Sequence, residues 1–97
     1  MNLNREKLKL LEDAFSSRGR VRILAVLCEY GELNLSEVAR KTGLNSTSTV
    51  NHLKVLTEKG LVAERRFGRV KMYRLNLENP KTKLITDFLK NWFHKDP

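Results

Sequence analysis

Residues 43–75 read GLNSTSTVNHLKVLTEKGLVAERRFGRVKMYRL, and this stretch decides the fold. Its first part predicts a helix over residues 46–59 that is rich in small hydrogen-bonding side chains. Its second part, after Gly60, predicts two strands, residues 61–66 and 70–75, joined by a tight turn at Gly68. Small polar side chains on a helix suit base edges in the major groove of DNA, and arginines on a hairpin suit the neighbouring phosphates.

The predicted helix has two faces. One is mostly apolar and should pack on the preceding helices; it holds Thr49, Val50, Leu53 and Leu56. The other face and the helix N-terminus are polar, and the DNA-contacting residues expected there are Asn45, Ser46, Thr47, Ser48, Asn51, His52 and Lys54. Asparagine can make two hydrogen bonds to adenine, and a helix N-terminus favours phosphate. We therefore assign base edges to Asn45, Thr47 and Asn51, and phosphate to Ser46 and Lys54.

Positive charge is concentrated in the hairpin. Residues 61–75 carry four arginines and one lysine against one glutamate, which is +4 of the net charge of +8. A basic protein can owe its charge to solubility alone, but concentration on one element favours a polyanionic partner, here double-stranded DNA. The hairpin residues expected on phosphates or in the minor groove are Arg65, Arg66, Arg69 and Lys71.

The rest of the chain predicts further helices around this unit. A first helix spans residues 4–15, and a second is capped by Ser17, runs to residue 30 and ends at Gly31. Residues 33–35 form a short extended link, and Ser36 caps a third helix that ends at Gly43. A last helix spans residues 80–94, after an asparagine cap. The predicted fold is mainly α with a small β-hairpin wing: a single winged helix-turn-helix domain over residues 1–97, in the order α1-α2-(short β)-α3-α4-β-β-α5.

The first and last helices carry more bulky apolar side chains than one small domain would cover. An exposed patch of this kind marks an interface, so we expect residues 4–15 and 80–94 to form a homodimer interface. Its predicted members are Leu3, Leu8, Leu11, Phe15, Leu84, Ile85, Phe88, Leu89, Trp92 and Phe93. The alternative is that both helices fold back onto their own domain.

Several classes of protein are disfavoured. No apolar run approaches the roughly 18 residues of a membrane span, the N-terminus lacks a signal-peptide pattern, and a lone cysteine fits a reducing compartment, so we expect a cytoplasmic protein. Cys28 itself falls on the core face of its helix, where cysteine is usually inert. No catalytic motif or metal-ligand spacing is present. We therefore expect no enzymatic activity, no metal and no cofactor.

Residues 17–76 resemble the ArsR-type winged-helix transcription regulators. The similar segments are RVRIL (residues 20–24), LSEVA (35–39) leading to Gly43-Leu44, HLKVL (52–56) leading to GLV (60–62), and RRFGR (65–69) leading to YRL (73–75). The resemblance implies a repressor that dimerises through its terminal helices and binds an inverted-repeat operator.

Two departures from the family pattern bear on function. Metal-sensing members have cysteines where this chain has Asn34 and Ser36, and neither side chain replaces a thiolate for a soft metal ion. The other family metal site, on the last helix, would retain only Asp87 and His94, too few for a four-ligand set. In the recognition helix, members usually have valine at the position of Thr49 and a small polar residue at that of Val50. We expect Val50 to pack inward, the alternative being contact with a thymine methyl group.

Other functions remain open from the sequence. One is an architectural DNA-binding protein with little sequence preference, which the polar recognition face disfavours. Another is a winged-helix subunit that binds a different protein through its apolar terminal helix, which the basic hairpin disfavours. The sequence does not identify an effector, an operator or a target gene.

Overall fold

Helices and a small sheet alternate along the computed structural model, which describes residues 2–94. In chain order the elements are α1 (Arg5–Phe15), α2 (Arg18–Tyr30), β1 (Leu33–Asn34), α3 (Leu35–Thr42), α4 (Ser46–Glu58), β2 (Val62–Phe67), β3 (Val70–Leu75) and α5 (Pro80–His94). This order confirms the predicted winged helix-turn-helix. None of these helices, within the described residues, has the length and apolar character needed to cross a membrane.

Most helix ends lie where local capping residues predict them. The Ser17 hydroxyl accepts a hydrogen bond from the Arg20 backbone N–H and begins α2, which ends at Gly31 with a φ of 81°. Gly43 ends α3 with a φ of 76°, in the left-handed region that favours glycine. The turn from Gly43 to Asn45 joins α3 to α4 and forms the helix-turn-helix.

The start of α3 differs from the prediction, because Asn34 rather than Ser36 is its cap. The Asn34 side chain accepts a hydrogen bond from the Glu37 backbone N–H, and the Glu37 carboxylate accepts one from the Asn34 backbone N–H, both at 2.9 Å. This reciprocal pair is a capping box. Leu35, predicted in the extended link, is therefore the first helical residue.

The sheet is antiparallel, with strand order β1-β3-β2. In the hairpin, Phe67 pairs with Val70, so the turn contains only Gly68 and Arg69, and Gly68 has a φ of 60°. Phe67, predicted in the loop, is thus the last residue of β2. The short β1 pairs with β3 through Leu33 and Tyr73, which ties the base of the hairpin to the segment between α2 and α3.

One apolar core supports both the helix-turn-helix and the hairpin. Its members include Ile23, Leu24, Leu27, Val38, Leu53, Leu56, Leu61, Val62, Tyr73 and Leu75. Cys28 packs against this core, as predicted, and burial raises the pKa of its thiol. Because α2, α3, α4 and the strands all contribute to one core, α4 and the hairpin are held in a defined relative position.

Candidate nucleic-acid interface

The recognition helix α4 is fixed at its N-terminus and along its inner face. The Asn45 side-chain oxygen accepts a hydrogen bond of 2.8 Å from the Ser48 backbone N–H, so Asn45 is the helix cap. Thr49, Leu53 and Leu56 are at most 1% exposed. The Thr49 hydroxyl, although buried, donates a 2.8 Å hydrogen bond to the Asn45 carbonyl. The cap limits what Asn45 can offer a base: its amide oxygen is engaged, while its side-chain NH₂ can still donate.

The opposite face of α4 points to solvent. Its exposed residues are Ser46, Thr47, Val50, Asn51, Lys54 and Glu58, and Ser48 is half-buried. Thr47, Asn51 and Lys54 therefore lie together on the outer side, as the helical spacing predicts. These side chains offer hydrogen-bond donors and acceptors that suit base edges, and one positive charge.

Val50 lies on this outer face, and the prediction that it packs inward is wrong. Its side chain is 46% exposed, whereas Leu53, one turn further along, is 1% exposed. Thr49, Leu53 and Leu56 are buried as predicted, so the buried face of α4 is narrower than expected and leaves Val50 outside it. Thr49 can be buried because its hydroxyl bonds to the backbone of the preceding turn.

His52, predicted among the DNA-contacting residues, is engaged within the protein. It is half-buried, and its Nδ1 accepts a 3.2 Å hydrogen bond from Arg20 Nε. Burial, with a smaller contribution from the charge of Arg20, lowers the pKa of His52. Gly19 makes room for the ring, because a Cβ there would lie 2.6 Å from His52 Nε2. His52 therefore holds α4 against α2.

Arg20 connects this histidine to the first helix, a role that sequence reasoning missed. Its Nη1 donates to the Asp13 carbonyl at 2.6 Å and to the Ser16 hydroxyl at 2.9 Å, both near the end of α1. One guanidinium thus joins the end of α1 to the recognition helix. The RVRIL segment marked an arginine-rich helix start, but its partners lie up to 32 residues away and no local pattern shows them.

Two of the hairpin arginines form ion pairs with Glu32, which precedes β1. Arg65 makes a two-pronged contact with Glu32, at 3.1 Å from Nε and 2.7 Å from Nη2. Arg74 lies 3.9 Å from the same carboxylate. Hydrogen bonding to Glu32 raises the pKa of Arg65, whose guanidinium also lies over the Phe67 ring. The prediction that Arg65 contacts DNA therefore requires it to leave Glu32, and Arg74 is partly neutralised.

The other side of the hairpin keeps more of its charge available. Arg66 and Lys71 lie directly opposite each other in the ladder, so their side chains share a face. Lys71 lies 3.7 Å from the Glu64 carboxylate, a loose and exposed pair. Among residues 2–94, Arg66 and Arg69 make no ion pair, and both are exposed. These two arginines are the uncompensated charges of the wing.

Comparison with known families agrees with this geometry. The sequence model described as bacterial regulatory protein, arsR family, matches residues 17–64, from the cap of α2 into β2. Over these 48 of its 97 residues, the chain is similar to the ArsR family. Members of this family are transcription regulators and not enzymes, which confirms the expected absence of catalytic function. A search of curated proteins finds no match.

Solved structures of ArsR-type regulators have the same fold. HlyU from Vibrio cholerae N16961 is 25% identical, with a TM-score of 0.80 over 98% of this chain and 100% of that chain. HlyU from Vibrio vulnificus CMCP6, a transcriptional regulator, is 26% identical, with a TM-score of 0.75 over 91% and 88%. The Mycobacterium bovis domain Mb0332, a homodimeric winged helix-turn-helix DNA-binding domain, is 25% identical, with a TM-score of 0.68 over 97% and 90%.

The two positions at which metal-sensing ArsR proteins carry cysteines have other roles here. Asn34 caps α3 with its side chain, and Ser36 is an exposed residue of the first turn of that helix. Within residues 2–94, no three His, Cys, Asp or Glu side chains lie close enough together to hold a metal ion.

The terminal helices present a large apolar surface to solvent. The predicted interface residues exposed by at least 39% are Leu3, Leu8, Leu11, Phe15, Leu84, Phe88, Trp92 and Phe93, and the rings of Phe88 and Trp92 stack at 5.9 Å. Ile85 is half-buried against the core. Leu89 differs from the prediction: it is 6% exposed and belongs to the core of its own chain, so its side chain is not part of the exposed face.

Proposed function

We propose that this protein is a sequence-specific DNA-binding transcription regulator that acts as a homodimer on an inverted-repeat operator. Two features of one domain carry this proposal: α4 has a solvent-facing polar surface, and the wing, which shares a core with α4, has two exposed arginines, Arg66 and Arg69, that make no ion pair within residues 2–94. Helix α4 enters the major groove, and the wing binds phosphates or the minor groove. Asn51 and Thr47 read base edges, while Lys54 and Ser46 bind phosphate.

The dimer forms through α1 and α5. An apolar groove of about 350 Å³ lies between these helices, lined by residues including Leu11, Phe15, Leu61 and Leu84. Beyond it, Phe88 and Trp92 continue the exposed face along α5. The homodimeric state of the Mb0332 domain supports this assignment. A two-fold axis through this face repeats α4 in successive major grooves, about 34–36 Å apart.

The proposed output is repression, because a dimer bound to an operator that overlaps a promoter blocks access of other proteins to it. The test is a reporter gene under the protein's own promoter, with and without the protein. A fall in expression that Arg66→Ala relieves supports repression. A rise that the same variant abolishes makes the protein an activator.

The DNA-binding function is tested by selecting duplexes from a randomised pool and titrating binding against salt. We expect one family of sites to be preferred by at least about a thousandfold. Asn51→Ala should lower this preference, whereas Arg66→Ala should weaken binding to all sequences alike. Equal affinity for every duplex with a steep salt dependence would show an architectural binder. If the protein bound no duplex at low salt, DNA would be excluded as a partner. The remaining alternative would be a subunit that binds a different protein through its terminal helices.

The dimer is tested separately by light scattering after size exclusion. Trp92→Ser on the α5 face should shift the mass from two chains to one, with the helical circular dichroism retained. Phe67→Ser is the matched control, because Phe67 is a similarly exposed aromatic residue but lies in the wing. A dimer that survives Trp92→Ser combined with Phe88→Ser would refute this interface.

A further inference from the structure

Val50 is an apolar side chain on an otherwise polar surface. It is 46% exposed and is not among the side chains that pack against the core. The anchoring of α4 is carried by Thr49, Leu53 and Leu56, all at most 1% exposed. The fold therefore does not require an apolar residue at position 50.

The neighbours of Val50 are the residues proposed to contact DNA. Ser46 and Lys54 lie one turn before and one turn after it on the helix surface, and Thr47 lies three residues before it. All three are exposed. A DNA surface that meets Thr47 and Lys54 must also meet the methyl groups of Val50.

The edges of base pairs in the major groove offer one apolar group, the C5-methyl of thymine. Valine is stiff about χ1 in a helix, so it loses little conformational freedom when its methyl groups are covered. We propose that Val50 contacts a thymine methyl group in each half-site, and so selects a thymine–adenine pair beside the bases read by Thr47 and Asn51. This inference rests on the proposed function, and it assigns part of the sequence specificity to an apolar contact.

The test removes the methyl group and nothing else. A duplex selected from the randomised pool is resynthesised with deoxyuridine in place of thymine, one position per half-site at a time. For the wild-type dimer, we expect one position to weaken binding by about fourfold per half-site, or about fifteenfold when both half-sites are changed. Substitution at thymines outside the contact should leave affinity unchanged.

Variants assign the effect to Val50. Val50→Ser should bind the thymine and deoxyuridine duplexes equally. Val50→Ala keeps only one methyl group at this position and should discriminate less than the wild type. Because alanine favours the helix, a reduced discrimination in Val50→Ala is not explained by loss of folding. Val21→Ser is the matched control, because Val21 is a 39% exposed helical valine on α2. This control should retain the wild-type discrimination.

The outcomes separate this inference from the function on which it rests. If the wild type prefers one duplex but is insensitive to deoxyuridine at every position, the methyl contact is refuted and the regulator function stands. If both Val50 variants still discriminate between the thymine and deoxyuridine duplexes as strongly as the wild type, a side chain other than Val50 contacts the thymine methyl, and the inference is refuted. If the pool yields no preferred duplex, the proposed function fails at the first step, before any deoxyuridine is introduced.

Discussion

Adjacent arginines of the wing should contribute unequally to DNA binding. Arg66 makes no ion pair among residues 2–94, whereas Arg65 has two donor nitrogens within 3.1 Å of Glu32. We expect Arg66→Gln to remove a phosphate contact in each subunit. Arg65→Gln is the matched control, since it makes the same chemical change one residue away in the same strand.

The magnitude follows from counterion release. Each phosphate contact contributes about 0.9 to the slope of log K against log salt concentration, so loss of one contact per subunit should reduce the slope of a dimer by about 1.8. If wild type and variant bind equally at 1 M salt, this difference in slope makes the variant bind roughly thirtyfold more weakly at about 0.15 M salt. Arg65→Gln should reduce the slope by much less, because the charge it removes is already offset by Glu32.

The assay is fluorescence anisotropy with a labelled selected duplex, titrated at five salt concentrations for wild type and both variants. Glu32→Gln provides a converse measurement: release of Arg65 from its partner should steepen the slope. Equal reductions in slope for Arg65→Gln and Arg66→Gln would refute the reasoning, because they would show that Arg65 exchanges Glu32 for phosphate when DNA binds. An unchanged slope in Arg66→Gln would remove the wing arginine from the interface.

Three further predictions concern folding. Burial lowers the pKa of His52, so in mild acid the unfolded chain binds more protons at this residue than the folded chain does. The stability contributed by neutral His52 is therefore present above about pH 6.5 and is lost as the pH falls below that value. Urea unfolding at several pH values should show this loss, and His52→Asn should reduce it; an identical pH dependence in the variant would refute it. Asn34→Ala should lower the free energy of unfolding by about 0.5–2 kcal/mol, because the cap of α3 is lost. Ser36→Ala should change it by no more than about 0.5 kcal/mol in the same measurement. A larger loss for Ser36→Ala than for Asn34→Ala would show that Ser36 is the cap. Gly19→Ala should be destabilising by about 1 kcal/mol despite its better helix propensity, because the new Cβ displaces the His52 ring and breaks its bond to Arg20. In a double-mutant cycle the cost should disappear in a His52→Ala background, and a cost that persists there would exclude the ring as its cause.

The helix ends were predictable because their causes are local. Ser17 caps α2 through the N–H group three residues later, and the glycines at 31 and 43 end helices with their own positive φ angles. The cap of α3 was less determined, since both Asn34 and Ser36 can cap a helix. Pairing of Asn34 with Met72 in the sheet keeps Asn34 extended, and this contact with β3 selects it.

The partners of charged side chains were not predictable. Arg65 meets Glu32 from 33 residues away and Arg20 meets His52 from 32 residues away, so both contacts exist only after the elements have packed. From the sequence, the arginines near the hairpin turn are neighbours in the chain, so they were all expected to contact DNA in the same way. Strand alternation and the sheet position of β1 divide them into a paired arginine, Arg65, and an uncompensated one, Arg66.

The sequence by itself determined the order of elements, the family resemblance and the polar surface of α4, because these depend on caps, periodicity and residue type over short spans. The tertiary structure decided how much of α4 is covered, which leaves Val50 exposed, and it decided the burial of Leu89 in its own chain. Helical periodicity alone does not decide whether a residue at the edge of a helix face, such as Val50, is buried or exposed, because the buried and exposed faces meet there. Which edge residue is covered depends on the neighbouring elements, and only packing of the whole core settles it.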